Sequence, residues 1–145
     1  MRGVGRALLV ALLPLALGCG RSEDPVRVAI DSVVAGAEKQ DAHRVVEALA
    51  PDFQAADGSN GAAVEAMLRQ YFAAYESLHV EIRKLAIEHG TGSAVVRFEA
   101  VVSGMPRSLP GLEGLLPRSS TLRFEVDLRS GSDGWKISRA SWSEL

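Results

Sequence analysis

From Pro25 onward the apolar residues recur first at helical and then at alternating spacing. Val26, Ile30, Val33, Val34 and Ala37 form one apolar stripe of a helix. Asp24 stands before Pro25 as its cap, and proline suits a first helical turn. Asp41 caps a second, short helix containing Val45, Val46 and Leu49; Pro51 ends it, and Phe53 comes next. Residues 57–61, Asp-Gly-Ser-Asn-Gly, are a turn. A third helix is predicted from about Ala62 to Tyr75, with the stripe Val64, Met67, Leu68, Tyr71, Phe72 and Tyr75.

After Ser77 the period drops to two. Leu78, Val80 and Ile82 share one face, and His79, Glu81 and Arg83 share the other. Leu85 and Ile87 continue one step out of phase, which would turn the apolar face outward unless the strand carries an extra residue. The slip predicts a bulge near Arg83-Lys84. Residues 89–92 turn the chain. Ala94, Val96, Phe98, Ala100 and Val102 form the next alternating set, and Leu122, Phe124, Val126 and Leu128 the one after. Residues 131–134, Gly-Ser-Asp-Gly, are a hairpin turn. A last strand starts at Trp135 with Ile137 and slips phase before Ala140 and Trp142. The fold class expected is α+β: three N-terminal helices packed on a curved antiparallel sheet of about four strands, a cone open at one end.

Residues 1–24 read differently. Arg2 and Arg6 precede an apolar run over positions 7–17, which is shorter than the roughly 20 residues a bilayer-spanning helix needs. Charge and then a short apolar run is the layout of an export signal. Ala16-Leu17-Gly18-Cys19 closes it, and Cys19 is the single cysteine of the chain. This segment resembles the lipobox of bacterial lipoproteins. The resemblance implies cleavage before Cys19 and a diacylglyceryl group on its sulfur. The chain then divides into a signal peptide at 1–18, a lipidated cysteine with a short tether at 19–24, and one domain at 25–145. Exported proteins use cysteines mostly in pairs, and lipidation explains a lone one. The implied location is the bacterial cell envelope. Gly20, rather than an aspartate, stands after the cysteine, which by the enterobacterial sorting pattern implies the periplasmic side of the outer membrane.

Composition narrows the partners. Without residues 1–18 the chain holds 14 basic and 18 acidic residues, a net charge of −4. With no basic stripe, nucleic acid is excluded as a partner class. The three histidines fall at positions 43, 79 and 89, not at metal-ligand spacing, so neither metal nor cofactor is expected.

The helix order, the Pro51-Asp52-Phe53 stretch and the ending Asp133-Gly134-Trp135-Lys136-Ile137 with Trp142 resemble the nuclear-transport-factor-2-like superfamily, which includes ketosteroid isomerase and scytalone dehydratase. The resemblance covers residues 25–145 and implies the cone-shaped fold. It also implies that a ligand or substrate would sit inside the cone, and that the outer sheet face is where members pair as homodimers. Isomerases of the superfamily use a carboxylate base beside a tyrosine and a protonated aspartate. The donor tyrosine stands on the first helix there; residues 25–40 here hold no tyrosine and no histidine. Tyr71, Tyr75, Asp52 and Asp57 are the remaining chemical candidates, and no catalytic residue is assigned. The expected pocket residues are Tyr71, Tyr75, Phe53, Phe98 and Phe124. Two readings stay open: non-catalytic binding of a small apolar ligand or an envelope protein, and an isomerase, dehydratase or cyclase acting on an apolar substrate. The outward set His79, Glu81, Arg83, Arg97 and Glu99 does not suit a greasy dimer face. Residues 103–118 make an unusually long connection with Leu109, Leu112, Leu115 and Leu116 in it, read either as cover for the core or as a lid or docking surface.

Overall fold

The computed structural model describes residues 23–111 and 114–145. Cys19 and the export segment lie outside the described residues, as does Leu112. The chain order is α1 (Pro25–Glu38), α2 (Ala42–Val46), β1 (Leu49–Ala55), α3 (Gly61–Ala73), β2 (Tyr75–His89), β3 (Ser93–Pro106), β4 (Ser119–Gly131) and β5 (Gly134–Glu144).

Each helix starts where a short polar side chain satisfies the free N–H groups of its first turn. Asp24 accepts from the Val26 amide at 2.9 Å, Asp41 from Arg44 at 3.0 Å and Asn60 from Ala63 at 2.9 Å. The ends of α1 and α3 are tied by Gln40. Its amide donates to the carbonyls of Phe72 at 2.8 Å and Tyr75 at 2.7 Å. The Phe72 carbonyl belongs to the last turn of α3, and the Tyr75 carbonyl to the first residue of β2.

The sheet corrects the expected strand count. It has five strands in the order β1-β5-β4-β3-β2, and β1 runs parallel to β5, so the sheet is mixed. The segment Leu49-Ala50-Pro51-Asp52-Phe53-Gln54-Ala55, expected to end the second helix and lead out of it, is the fifth strand. Pro51 hides this strand in the sequence. Proline ends helices, but it is also tolerated on edge strands and at bulges, where no ladder partner waits for its missing N–H. β1 is an edge, and its pairing breaks between Leu49, opposite Ile137, and Gln54, opposite Arg139. Phe53 and Ala55 of this strand are buried in the core. A second correction concerns α3, which stops at Ala73; Tyr75 opens β2 opposite Pro106.

Both phase slips become bulges. Arg83 pairs with Glu99 and Ala86 with Arg97, leaving one extra residue on β2. Lys84 takes φ = 53° there, in the left-handed region. The step returns Leu85 and Ile87 to the core side. On β5, Ile137 pairs with Leu128 and Arg139 with Asp127. Ser138 is the extra residue between them, and its hydroxyl donates to the Asp127 carbonyl at 3.2 Å.

The helices cover one face of the bent sheet. Val26 and Ile30 of α1 and Val64 of α3 join Ala94, Val96, Phe98, Val126, Leu128 and Ile137 in one core. A second cluster gathers Ala42, Val45, Phe72, Tyr75 and Leu78, with Leu116 against it. The outer face carries ion pairs: Arg97 with Glu125 at 2.8 Å and with Glu88 at 3.0 Å, and Lys84 with Glu99 at 3.1 Å. On the edge strand β2, the Val80 amide donates to the Glu38 carboxylate at 3.1 Å, which also bonds His79 at 2.8 Å.

β3 extends further than its alternating pattern suggests because Gly104 lets two backbones meet. A Cβ built on Gly104 would lie 2.7 Å from the Ser77 carbonyl oxygen and 2.9 Å from Cδ1 of Tyr75. Gly104→Ala is therefore expected to lower stability by about 1–3 kcal/mol through overpacking. Urea unfolding of the two proteins measures this; equal midpoints would show that the strands part without cost.

Candidate functional site

Between the helices and the concave sheet lies a cavity of about 360 Å³. Its floor is aliphatic and buried, built from Ile30, Val64, Val126 and Ile137 with Phe53. One wall is an aromatic ladder across three neighbouring strands. Phe98 and Phe124 are opposite residues on β3 and β4, with ring centroids 5.1 Å apart and planes at 13°. Phe124 faces Trp142 of β5 at 6.2 Å and 35°. This is cross-strand aromatic pairing turned to the inside of the cone.

The mouth is marked by lining residues that stay exposed. Met67 is 46% exposed, Tyr71 38% and Trp142 37%, whereas the floor residues are at most 9% exposed. Of the lining side chains, only Tyr71 and Trp142 carry an oxygen or nitrogen. Burial pushes the Tyr71 phenol up to about 12, and the neighbouring Tyr75 hydroxyl and Glu144 carboxylate push in the same direction. The hydroxyl is neutral across the physiological range and can take part in hydrogen bonds, not in proton abstraction.

Of the residues expected to line a pocket, Tyr71, Phe53, Phe98 and Phe124 do so. Tyr75 sits beside the cavity instead. It is 2% exposed, its ring lies 5.1 Å from that of Tyr71, and its hydroxyl donates to the Pro117 carbonyl at 2.8 Å. This bond pins the 107–118 connection to the base of α3, aided by the Arg107 amide donating to the Ala74 carbonyl at 2.8 Å. Leu116 packs there too, while Leu115 is 70% exposed. The described part of this connection thus covers core through Leu116. In the sequence, Met67 stands out as a helix-stripe residue, and Trp142 as an apolar strand residue in the ending that carries the resemblance. Their place at the mouth comes from the register of β5 and the rotation of α3, which the periodicity leaves unset.

Asp52 and Asp57 are outside the cavity. Asp52 is paired with Arg129, whose hydrogen bonds hold the carboxyl below its usual value. Asp57 closes its own turn by accepting from the Ser59 amide at 2.9 Å, which holds it low as well. The histidines stay on the surface: His43 lies 3.4 Å from Glu47, His79 bonds Glu38, and His89 bonds Asp24 at 2.6 Å. Among the described residues, no three His, Cys, Asp or Glu side chains cluster in a way that could hold a metal ion.

No protein-family model matches the sequence, and no curated protein matches it. Solved structures do match its fold. A candidate dehydratase of the nuclear-transport-factor-2-like family from Streptomyces avermitilis is 14% identical, with a TM-score of 0.66 over 83% of this chain and 94% of that one. A candidate scytalone dehydratase from Novosphingobium aromaticivorans is 10% identical, with a TM-score of 0.68 over 83% and 82%. A nuclear-transport-factor-2-like protein with a cystatin-like fold from the same organism is 17% identical, with a TM-score of 0.64 over 83% and 80%. The chain therefore has the nuclear-transport-factor-2-like α+β fold. At these identities the likeness does not carry an activity with it.

The chain's two tyrosines allow a direct check of the mouth. Tyrosinate absorbance is expected to show a step near pH 12 that Tyr71→Phe removes. Because this pKa is raised in the folded state, Tyr71 supports folding fully below pH 10, the ordinary tyrosine value, and the support is lost as pH rises through 12. A Tyr71 that titrates at 10 would place its hydroxyl in open solvent.

Proposed function

We propose that the protein is an envelope lipoprotein, held to a membrane through Cys19, whose cone binds a small apolar ligand without transforming it. The observation that supports this most is the cavity itself: about 360 Å³ walled by apolar side chains, with a hydroxyl and an indole N–H at its rim. Ligand sites have this volume and lining, a largely apolar hollow with few polar groups. Catalysis of proton transfer needs an acid or base within hydrogen-bond reach of the substrate. The carboxylates and imidazoles of the candidate residues stand elsewhere, engaged with arginines, backbone amides and each other. Dehydratase names among proteins of like fold favour a second reading as an enzyme on an apolar substrate; the lining here does not supply its acid–base pair.

The anchor reading rests on the order Arg2, Arg6, apolar run, Gly18, Cys19. One acyl chain binds a membrane marginally, whereas two or more hold firmly. Cys19→Ser is expected to eliminate the acyl mass from the intact protein and to shift it from the membrane pellet to the soluble fraction. A Cys19→Ser protein that stays with the membrane would overturn the anchor. The binding reading is checked separately on the mature domain with N-phenyl-1-naphthylamine, an uncharged dye that brightens in apolar surroundings. A saturable rise in its fluorescence is expected, and a flat titration would overturn ligand binding.

A further inference from the structure

The same lining says which end of a ligand goes in first. Among the described residues, the one buried side chain with a polar atom is that of Tyr75, whose hydroxyl is already engaged by the Pro117 carbonyl. The cavity floor, Ile30, Val64, Val126 and Ile137, offers nothing to hydrogen-bond. A ligand hydroxyl or carbonyl placed there would leave water and find no partner. The rim is different. Tyr71 and Trp142 bring the lining's only side-chain oxygen and nitrogen, and both remain more than one third exposed. A polar group there keeps water and gains the Tyr71 hydroxyl. The charge at the rim also matters. The Glu144 carboxylate acts on the Tyr71 hydroxyl, and the lining contains no lysine, arginine or histidine to receive an anion.

On this basis we infer that the ligand is a neutral, single-ended amphiphile, bound with its apolar body on the floor and its one polar end at the Tyr71–Trp142 rim. The inference deepens the proposed binding function and rests on it. Size adds a bound. A hollow of about 360 Å³ stands at the small end of small-molecule sites, which favours a single narrow body. The aromatic ladder of Phe98, Phe124 and Trp142 lies along the path from floor to rim and gives the body a flat wall to lie against.

Two positional isomers test this directly. In 1,2-decanediol both hydroxyls sit at one end; in 1,10-decanediol one must enter the floor if the chain does. The mature domain is loaded with N-phenyl-1-naphthylamine, and displacement is measured with 1-decanol, the two diols, and decanoate at pH 8. The 1,2-isomer is expected to compete within a few-fold of 1-decanol, and the 1,10-isomer at least tenfold more weakly than the 1,2-isomer. Decanoate is expected to compete at least tenfold more weakly than 1-decanol. Equal competition by the two isomers would overturn the single-ended binding mode. Decanoate binding as tightly as 1-decanol would overturn the neutral head. A dye that never binds would remove the binding function itself, and the inference with it, a result distinct from either of those.

Discussion

Two extra residues shape this protein. A sheet with strict alternation and no bulge would either lie flat under its helices or turn its apolar face to water partway along a strand. Lys84 on β2 and Ser138 on β5 each add one residue, which restores the inward phase and bends the strand. The bend makes the sheet concave. Straight helices cannot follow a concave surface; α1 spans it, tied to β2 at its start by Asp24 on His89 and at its end by Glu38 on Val80 and His79, with α3 beside it. The gap they leave is the cavity. Its apolar lining is thus the inward half of the same alternating pattern that folds the sheet.

This is why so much of the site is legible in the sequence. The register slips at Arg83-Lys84 and before Ala140 mark the bulges, and the inward positions Phe98 and Phe124 come from strict alternation. The helix caps Asp24 and Asp41 are readable because each answers a local need of the first turn. The features that escape depend on long-range partners. β1 is a strand because β5 lies beside it, and nothing within residues 49–55 says so; Pro51 points instead to a helix end. Tyr75 continues the apolar spacing of α3, yet the chain leaves the helix at Ala74 because Gln40 and the Gly104 backbone draw that point into the sheet. Trp142 reaches the mouth through the register of β5 against β4, with its bulge already counted.

The same physics separates holding a ligand from changing one. A dry cavity strengthens any electrostatic interaction inside it, but only if a charge is there to use. Moving a carboxylate into this lining would cost several kcal/mol without a paired cation. Asp52 and Asp57 avoid that cost on the surface, one with Arg129 and one with its own turn. A phenol whose proton leaves only near pH 12 is a poor base at neutral pH. The lining is therefore suited to desolvating an apolar body. Proteins of this fold that are named for dehydration share its shape, and shape alone does not carry their activity here.

The two tryptophans mark the two ends of the cone, and with them what the proposed lipid anchor would imply. Trp135 opens β5 beside His89, which bonds Asp24 at the start of α1; Trp142 is near the other end of the same strand, at the mouth. Seven steps along the bulged strand separate them by about 20 Å. From Cys19 to Asp24 is five residues, or about 17 Å when fully extended. A lipid on Cys19 would hold the Asp24 end close to the bilayer. Pointing the mouth straight at that bilayer would need a tether longer than the cone, and this one is shorter. A ligand of the proposed kind would then come and go on the aqueous side. An apolar body leaves water readily for such a floor, and a single polar end is what would let it travel there at all.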